Sequence, residues 1–409
     1  MSLNKIQNHL NIFLPAYVIS SYFISAHLFA LSQFSVVGIN LSMTDYVTLL
    51  WIFIAIAIGK NYKFSFKYNS IEIRLLLLFT VYAGFEVLHG MYGFKSLSLF
   101  LQLLRNLFIF LLIYYSIQRA NIIEINRLIF KLSFWMSILM LFLYGLFITV
   151  QILPINIFEY GEFQSIRFEG LSGDANFYAF LMSVALLIGF YNSSKDLNVL
   201  NKYLYLMPIG INIVITISRS AIVALIVTFI FTSILYEKKL SSKFKKIFTL
   251  FFIFTAFFYL SMIKLPNLNV SIYEWYSLRA TQGSPRIEMW LTLLNYIQQQ
   301  PIFGYGLRAS EYLLGGYGRY AHNSYLELLV DYGMIGFIIF VSFMFLVFLK
   351  GIKLININEK YKAWLHSYLI LCILFGGFTL LYWPLLWVLI ALILGGYSFE
   401  KDRLNNNFV

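Results

Sequence analysis

Apolar residues run along this chain in long blocks, and charged residues fall almost entirely between them. A hydrocarbon core of about 30 Å is crossed by about 20 apolar residues in a helix, somewhat fewer at the low end. Twelve segments read as spans on that standard, near 11–32, 44–59, 72–90, 97–117, 128–153, 174–191, 203–218, 220–236, 247–264, 324–349, 365–382 and 384–397. The last two share one apolar run interrupted at Tyr382-Trp383-Pro384. Proline removes a backbone donor there, so the run is either two spans or one kinked span. The first segment is too long for a signal-peptide core and no small-residue cleavage site follows it, so it is expected to stay attached. The pattern predicts an all-α polytopic membrane protein. It forms a single membrane domain over residues 1–409 with about twelve helices, and one large external loop at 265–323 contains short helices.

Composition agrees with the pattern: 60% of residues are hydrophobic and 12% charged, with a mean hydropathy of +0.77, well outside the range of soluble domains. The single cysteine, Cys372, rules out a disulfide or cysteine-based metal framework. A net charge of +12 would suit nucleic acid if it were clustered on a domain, but it sits in short loops between spans, where cytoplasmic retention accounts for it. One set of loops holds Lys60, Lys63, Lys67 and Arg74, then Arg119, Arg127 and Lys131, Lys195 and Lys202, the lysines of 238–246, and Lys350, Lys353, Lys360 and Lys362. The alternate set holds only Lys95, Arg167, Lys264, Arg279, Arg286, Arg308 and Arg319. By the positive-inside rule both termini are cytoplasmic and residues 265–323 face outward.

The external loop carries its own helix signals. Ser284 can cap a helix that starts at Pro285 and stops before Pro301, with Ile287, Trp290, Leu291, Leu294 and Ile297 on one apolar face that lies against the bundle or the membrane surface. Arg286 falls in its first turn, where a cation opposes the helix dipole. That placement suits anion binding, while a snorkelling interfacial arginine is the plainer reading. Arg219, in Ile217-Ser-Arg-Ser-Ala221, lies at the external end of two spans joined by almost no loop. Arg105 lies mid-span and reads as a structural cation paired with helix carbonyls or with a carboxylate such as Glu86.

The densest signal is Arg319-Tyr-Ala-His-Asn-Ser-Tyr-Leu-Glu-Leu-Leu-Val-Asp-Tyr-Gly333. Asn323 is a good N-cap for the span that follows. This leaves His322 just outside a helix N-terminus, where the dipole favours neutral imidazole; it reads either as a base or as a loop histidine that only hydrogen-bonds. Glu327 and Asp331 follow Asn323 at four-residue steps and can line the same cavity, whereas Gly333 and Gly336 read as packing glycines. Arg319, Tyr320 and Tyr305, with Asn323, Glu327, Asp174 and Asn176, are taken as substrate-binding candidates, and Trp275, Tyr276, Tyr312 and Tyr317 are further aromatics able to stack on sugars. Upstream, in Gly173-Asp-Ala-Asn176, Asp174 reads first as the cap of the sixth span, with Asn176 in its first turn. Glu159, Glu162, Arg167 and Glu169 precede them on the same external side, where they are expected to help bind an acceptor. No carboxylate cluster has metal-ligand spacing, so no metal or cofactor is expected.

The stretch from Ala321 to Gly336 resembles the signature of the O-antigen polymerase and O-antigen ligase superfamily, which likewise places it after a large external loop. Ile217-Ser-Arg-Ser-Ala221 resembles that family's arginine-bearing span end. Pro285-Arg-Ile-Glu-Met-Trp290 with Pro301-Ile-Phe-Gly-Tyr-Gly-Leu307 resembles its loop helix, and Gly173-Asp-Ala-Asn176 its upstream Asp/Asn element. The resemblance covers the second half of the chain by motif and the first half only by topology. It implies a metal-independent, inverting membrane glycosyltransferase of the C-type fold in the bacterial cytoplasmic membrane, working on its outer face. The donor would be an undecaprenyl-diphosphate-linked glycan. Arg219 and Arg286 would grip the departing diphosphate, and His322 would accept the proton of the attacking hydroxyl. A polymerase extends another lipid-linked repeat, alongside a possible chain-length-regulating membrane protein, whereas a ligase uses a lipid A core sugar. The Gly-Asp-Ala-Asn element and the tyrosine-rich loop look more like the polymerases. A flippase or transporter is the alternative from another class; such proteins usually show internal repeats and helices broken at mid-membrane, and the sequence shows neither.

Overall fold

Each expected span that the structure describes contains a helix, because in hydrocarbon a helix is the one local structure that pairs its own backbone groups. The structure is a computed structural model that describes residues 16–26, 34–36, 39–41, 43–58, 70–90, 92, 96–118, 120–150, 158–160, 166–170, 172–192, 199–216, 218–236, 285–316 and 320–406. The expected span at 247–264, the loop from 265 to 284, and Arg319 lie outside them. In chain order the helices are α1 (Ala16–Ala26), α2 (Met43–Ile58), α3 (Ile71–His89), α4 (Leu97–Ile117), α5 (Ile122–Val150), α6 (Ala175–Asn192), α7 (Val199–Ile215) and α8 (Arg219–Tyr236). They continue with α9 (Pro285–Gln299), α10 (Ala309–Leu313), α11 (Ser324–Ile357), α12 (Lys362–Leu374) and α13 (Pro384–Asn406).

The all-α class stands, and two small hairpins accompany the helices: β1 (Phe34–Val36) with β2 (Ile39–Leu41), and β3 (Phe158–Tyr160) with β4 (Ile166–Phe168). Strands of three residues are too short to show an alternation in the sequence. Among the described residues, α4, α5, α11 and α13 have the length and apolarity to cross a membrane, and α1, α6, α7 and α8 are shorter apolar helices. The expected span at 365–382 is helical only as far as Leu374. At about 1.5 Å per residue, α12 is shorter than a bilayer core. Residues 375–383 form turns, so the terminal apolar run is two helices and not one kinked one.

The described residues pack into two compact units, those within 1–22, 44–125 and 285–409 in the first and those within 23–43 and 126–284 in the second. In the first unit α13 is buried on every side from Leu385 to Ile393, and α4, α11 and α12 pack around it. α11 also packs on α3 and on the loop helix α9. Arg105 has the structural role expected of it, bonded to a carboxylate and to the Tyr382 carbonyl, but the carboxylate is not Glu86. Its Nη1 donates to Asp45 Oδ1 at 2.7 Å, its Nε and Nη2 donate to Asn106 Oδ1, and Glu86 is not among its partners. Helix spacing within α3 and α4 cannot reveal that partner, because Asp45 comes from α2. In the second unit, α6 packs on α7 and α8 around Met140, Phe168, Tyr178, Met182, Ile209 and Ile213. Tyr178 Oη donates to Asn212 Oδ1 at 2.9 Å, and Asn212 Nδ2 donates to Ser137 O at 3.0 Å, a buried network joining α5, α6 and α7.

α11 is broken at Gly333, whose backbone (φ 61°, ψ −170°) is not helical. The segment from Pro301 to Gly306 fills the breach. Met334 N donates to Pro301 O at 2.8 Å, Ile335 N to Ile302 O at 3.3 Å, Tyr305 N to Val330 O at 2.8 Å and Gly306 N to Asp331 O at 3.0 Å. Gly333, expected only to ease helix packing, is therefore the break itself, and protein backbone pairs the groups it frees. The apolar run of residues 334–349 follows the break, which places the break at the outer end of the span in the expected orientation and not at the midplane, where transporters break their helices.

Topology is directly testable. In a Cys372→Ala background, Asn295→Cys on the exposed side of α9 should react with a membrane-impermeant thiol reagent on intact cells, and Ser242→Cys in the lysine-rich loop should not. Labelling of Ser242→Cys from outside would invert the orientation.

Candidate active site

The start of α11 is stitched to the turn after α12. Asn323 caps α11 as expected, its Oδ1 accepting from Tyr325 N at 3.1 Å and Leu326 N at 3.2 Å. Ser324 N donates to Phe375 O at 2.8 Å and Phe378 O at 3.1 Å, and Ser324 Oγ donates to Phe378 O at 2.6 Å. His322 precedes the cap in a left-handed conformation (φ 51°) and is half-buried. Its neighbour Ala321 is buried, and the Ala321 carbonyl accepts from Trp290 Nε1 of α9 at 2.8 Å.

The same turn holds Arg286. From the first turn of α9 its Nη1 donates to Gly377 O at 3.2 Å, and its guanidinium lies over the Phe378 ring, 5.6 Å from the centroid. Arg286 and Ser324 therefore grip adjacent carbonyls, Gly377 and Phe378. The structure thus brings Arg286 and the His322-Asn323 pair to one scaffold. Ser324, Gly377 and Phe378 were missed in the sequence. The one hint was the Gly376-Gly377 doublet, which ends α12 early.

Beside this turn, on α11, lies a small cleft of about 30 Å³. Tyr320, 41% exposed, and the buried Glu327 and Asp331 line it, with Arg308, Glu311 and Thr379. Thr379 Oγ1 donates to Glu327 Oε1 in a short hydrogen bond. Asp331 is occupied structurally: its Oδ2 accepts from Arg308 N at 3.1 Å and its Oδ1 from Ser310 N at 2.8 Å, so it caps α10 from another helix. Arg308 Nε pairs with Glu311 Oε2 at 3.1 Å and Arg308 Nη1 donates to Ser98 Oγ at 2.9 Å.

Tyr305 corrects the sequence reading. It is 8% exposed and packs among Leu293, Ala309, Ala321 and Val330, while its hydroxyl donates to Tyr296 O at 3.1 Å. It is a core residue of the loop, not a platform for a sugar, because the breach in α11 draws its backbone inward. Tyr312 has one face taken by Tyr92, with ring centroids 4.1 Å apart.

The remaining candidates gather in the second unit. Asp174 Oδ1 accepts from Asn176 N at 2.7 Å and Phe177 N at 3.1 Å, the capping role expected. Asn176 is buried, and its Oδ1 accepts from Ser218 Oγ at 2.8 Å. Ser218 Oγ also accepts from Ala221 N at 3.3 Å and so caps α8. This joins the Gly-Asp-Ala-Asn element to the residue before Arg219. Arg219 itself is exposed as the first residue of α8. In the β3–β4 hairpin Glu159 and Arg167 stand opposite one another in register.

Residues 204–341, which contain Arg219, Arg286 and His322, match the family described as O-Antigen ligase. A protein of Rickettsia conorii, provisionally named as a polysaccharide ligase, is 28% identical over 125 residues, a match that covers 27% of this chain and 30% of that protein. The resemblance to the O-antigen ligase and polymerase superfamily, read first from the motifs at Arg219, Arg286 and His322, is shown by both findings.

Proposed function

We propose that this chain polymerises polyprenyl-diphosphate-linked oligosaccharide repeats on the outer face of the membrane, by inverting glycosyl transfer without a metal. The observation that carries the proposal is the shared turn. Arg286 on Gly377 O and Ser324 on Phe378 O anchor a guanidinium and the helix N-terminus that follows His322 to adjacent carbonyls of one turn. In the transfer the bond from the anomeric carbon to the diphosphate oxygen breaks and the diphosphate leaves with the electron pair. The acceptor hydroxyl oxygen bonds to the carbon from the opposite face, and its proton passes to His322. Arg286 meets the charge growing on the diphosphate, its plane set by Phe378 and Gly377 O, at the N-terminal end of α9 where backbone N–H groups favour an anion. Arg219, also a guanidinium at a helix N-terminus, is assigned the same task on the same chemistry. Tyr320 and Glu327 at the cleft, with Asn323, are assigned to the acceptor sugar, whose hydroxyls suit a carboxyl group and a neighbouring ring.

Ligation to a lipid A core sugar is the second reading, favoured by the descriptions of the matching family and relative; the Gly173-Asp-Ala-Asn176 element favours polymerisation. Purified protein should be incubated with synthetic undecaprenyl-diphosphate oligosaccharide, with and without a lipid A core acceptor, and the products sized. A ladder formed without core supports polymerisation, a single transfer that needs core supports ligation, and no donor consumption in either overturns both. In the same assay Arg286→Lys should lose about tenfold to a thousandfold in rate, because a point charge cannot reproduce the planar fork. A Lys variant with normal rate would remove Arg286 from the diphosphate.

A further inference from the structure

α9 has three sides, not two. At 100° per residue, Trp290, Leu293 and Ile297 point one way. Leu293 is fully buried, Trp290 is hydrogen-bonded to Ala321 O, and Ile297 packs on the same cluster. Glu288, Thr292, Asn295 and Gln299 form a polar exposed side. Between the two, Ile287, Leu291 and Leu294 form a stripe at i, i+4 and i+7 that is 58%, 57% and 42% exposed. A helix docked only on protein and water would have no such third side. The stripe leads to Ile302 and Phe303, 56% and 51% exposed, whose segment is hydrogen-bonded to Met334 and Ile335 at the outer end of the long apolar span. Met334 and Ile338 on that span are 44% and 55% exposed, so the apolar surface runs from α9 onto a face that composition assigns to lipid.

We propose that α9 lies in the outer interface of the bilayer, with the side of Ile287, Leu291 and Leu294 sunk among acyl chains, its polar side in water, and Arg286 at its end opening sideways to the lipid headgroups. An interfacial helix buries its apolar side about 5–10 Å into the boundary between headgroups and chains. A substrate carried on a membrane lipid then reaches Arg286 with its diphosphate at headgroup level and its hydrocarbon still in the membrane. The inference about the helix is independent of the reaction; only the route for the substrate rests on the glycosyl-transfer reading.

The test uses full-length protein in phosphatidylcholine and phosphatidylglycerol vesicles, in a Cys372→Ala background, with an environment-sensitive fluorophore attached at Leu291→Cys or Asn295→Cys. A quencher carried on lipid acyl chains should quench the Leu291 label about threefold more than the Asn295 label, as expected for the two sides of an interfacial helix. Equal or weaker quenching at Leu291 overturns the proposal. In a second arm Leu291→Glu should slow transfer from a long-chain polyprenyl diphosphate donor about tenfold, by the cost of a carboxylate among acyl chains. Transfer from a short-chain, water-soluble diphosphate donor should be unchanged. Equal slowing with both donors overturns the lateral route, whereas wild-type protein inactive on both overturns the glycosyl-transfer reading and leaves the quenching result to decide where α9 lies.

Discussion

His322→Gln and His322→Asn are both expected to lower the rate of glycosyl transfer by about a hundredfold or more, the scale of a lost general base. The pair is needed because of the backbone. His322 sits at φ 51°, a left-handed conformation that most side chains resist at a cost of about 1–2 kcal/mol and that Asn and His tolerate best. Gln keeps the reach of the imidazole but strains the turn, whereas Asn keeps the turn and loses the basic nitrogen. If His322 only shapes the entry to α11, Asn should turn over substrate almost normally and Gln should lose modestly; if it takes the proton, both should fail alike while protein level and donor binding persist. Near-normal turnover by the Asn variant would demote His322 to a turn residue and leave catalysis to the arginines and to positioning.

Gly333→Ala is expected to cost about 3 kcal/mol or more, a large share of the marginal stability of a fold. The backbone at φ 61°, ψ −170° lies in a region that is essentially glycine's alone, worth about 1–3 kcal/mol of strain for any other residue. A Cβ there would also lie 2.2 Å from Ile302 O and 2.5 Å from the Ile302 and Phe303 carbonyl carbons. Those are backbone atoms held in the breach by their own hydrogen bonds, so they cannot yield without losing the segment that carries Tyr305 and Arg308. Gly210→Ala, in α7 with nothing within 4 Å of its added carbon, should instead be neutral or stabilising by up to about 1 kcal/mol. Thermal unfolding of detergent-purified variants separates the two, and a Gly333→Ala protein as stable as wild type would show that the break in α11 is not built as described.

Much of this protein follows from local chemistry. Long apolar blocks have no stable alternative to helices in hydrocarbon, so the positions of α2 to α8, α11 and α13 were legible from the chain, as were the caps at Asp174 and Asn323, because the groups that satisfy a helix end are its immediate neighbours. Arg286 and His322 as candidates were also within reach, since both motifs carry their chemistry in plain sequence. What stayed hidden depended on partners far away in the chain. Arg105 reads as a mid-span cation in need of a carboxylate, but only packing selects Asp45, 60 residues earlier, over Glu86. The sequence shows Tyr305 as one loop aromatic among many, and the insertion of its segment into α11 is what buries it. Gly333 reads as a packing glycine until the Pro301–Gly304 backbone is found inside the helix. The turn at Gly377-Phe378-Thr379, which holds Arg286, Ser324 and Glu327 together, lies within an apolar run that reads as one more span. Periodicity and capping act over one or two helical turns and therefore appear in the sequence. The site depends on backbone carbonyls presented by a distant turn, and carbonyls are common to every residue, so only the folded chain reveals which ones are used.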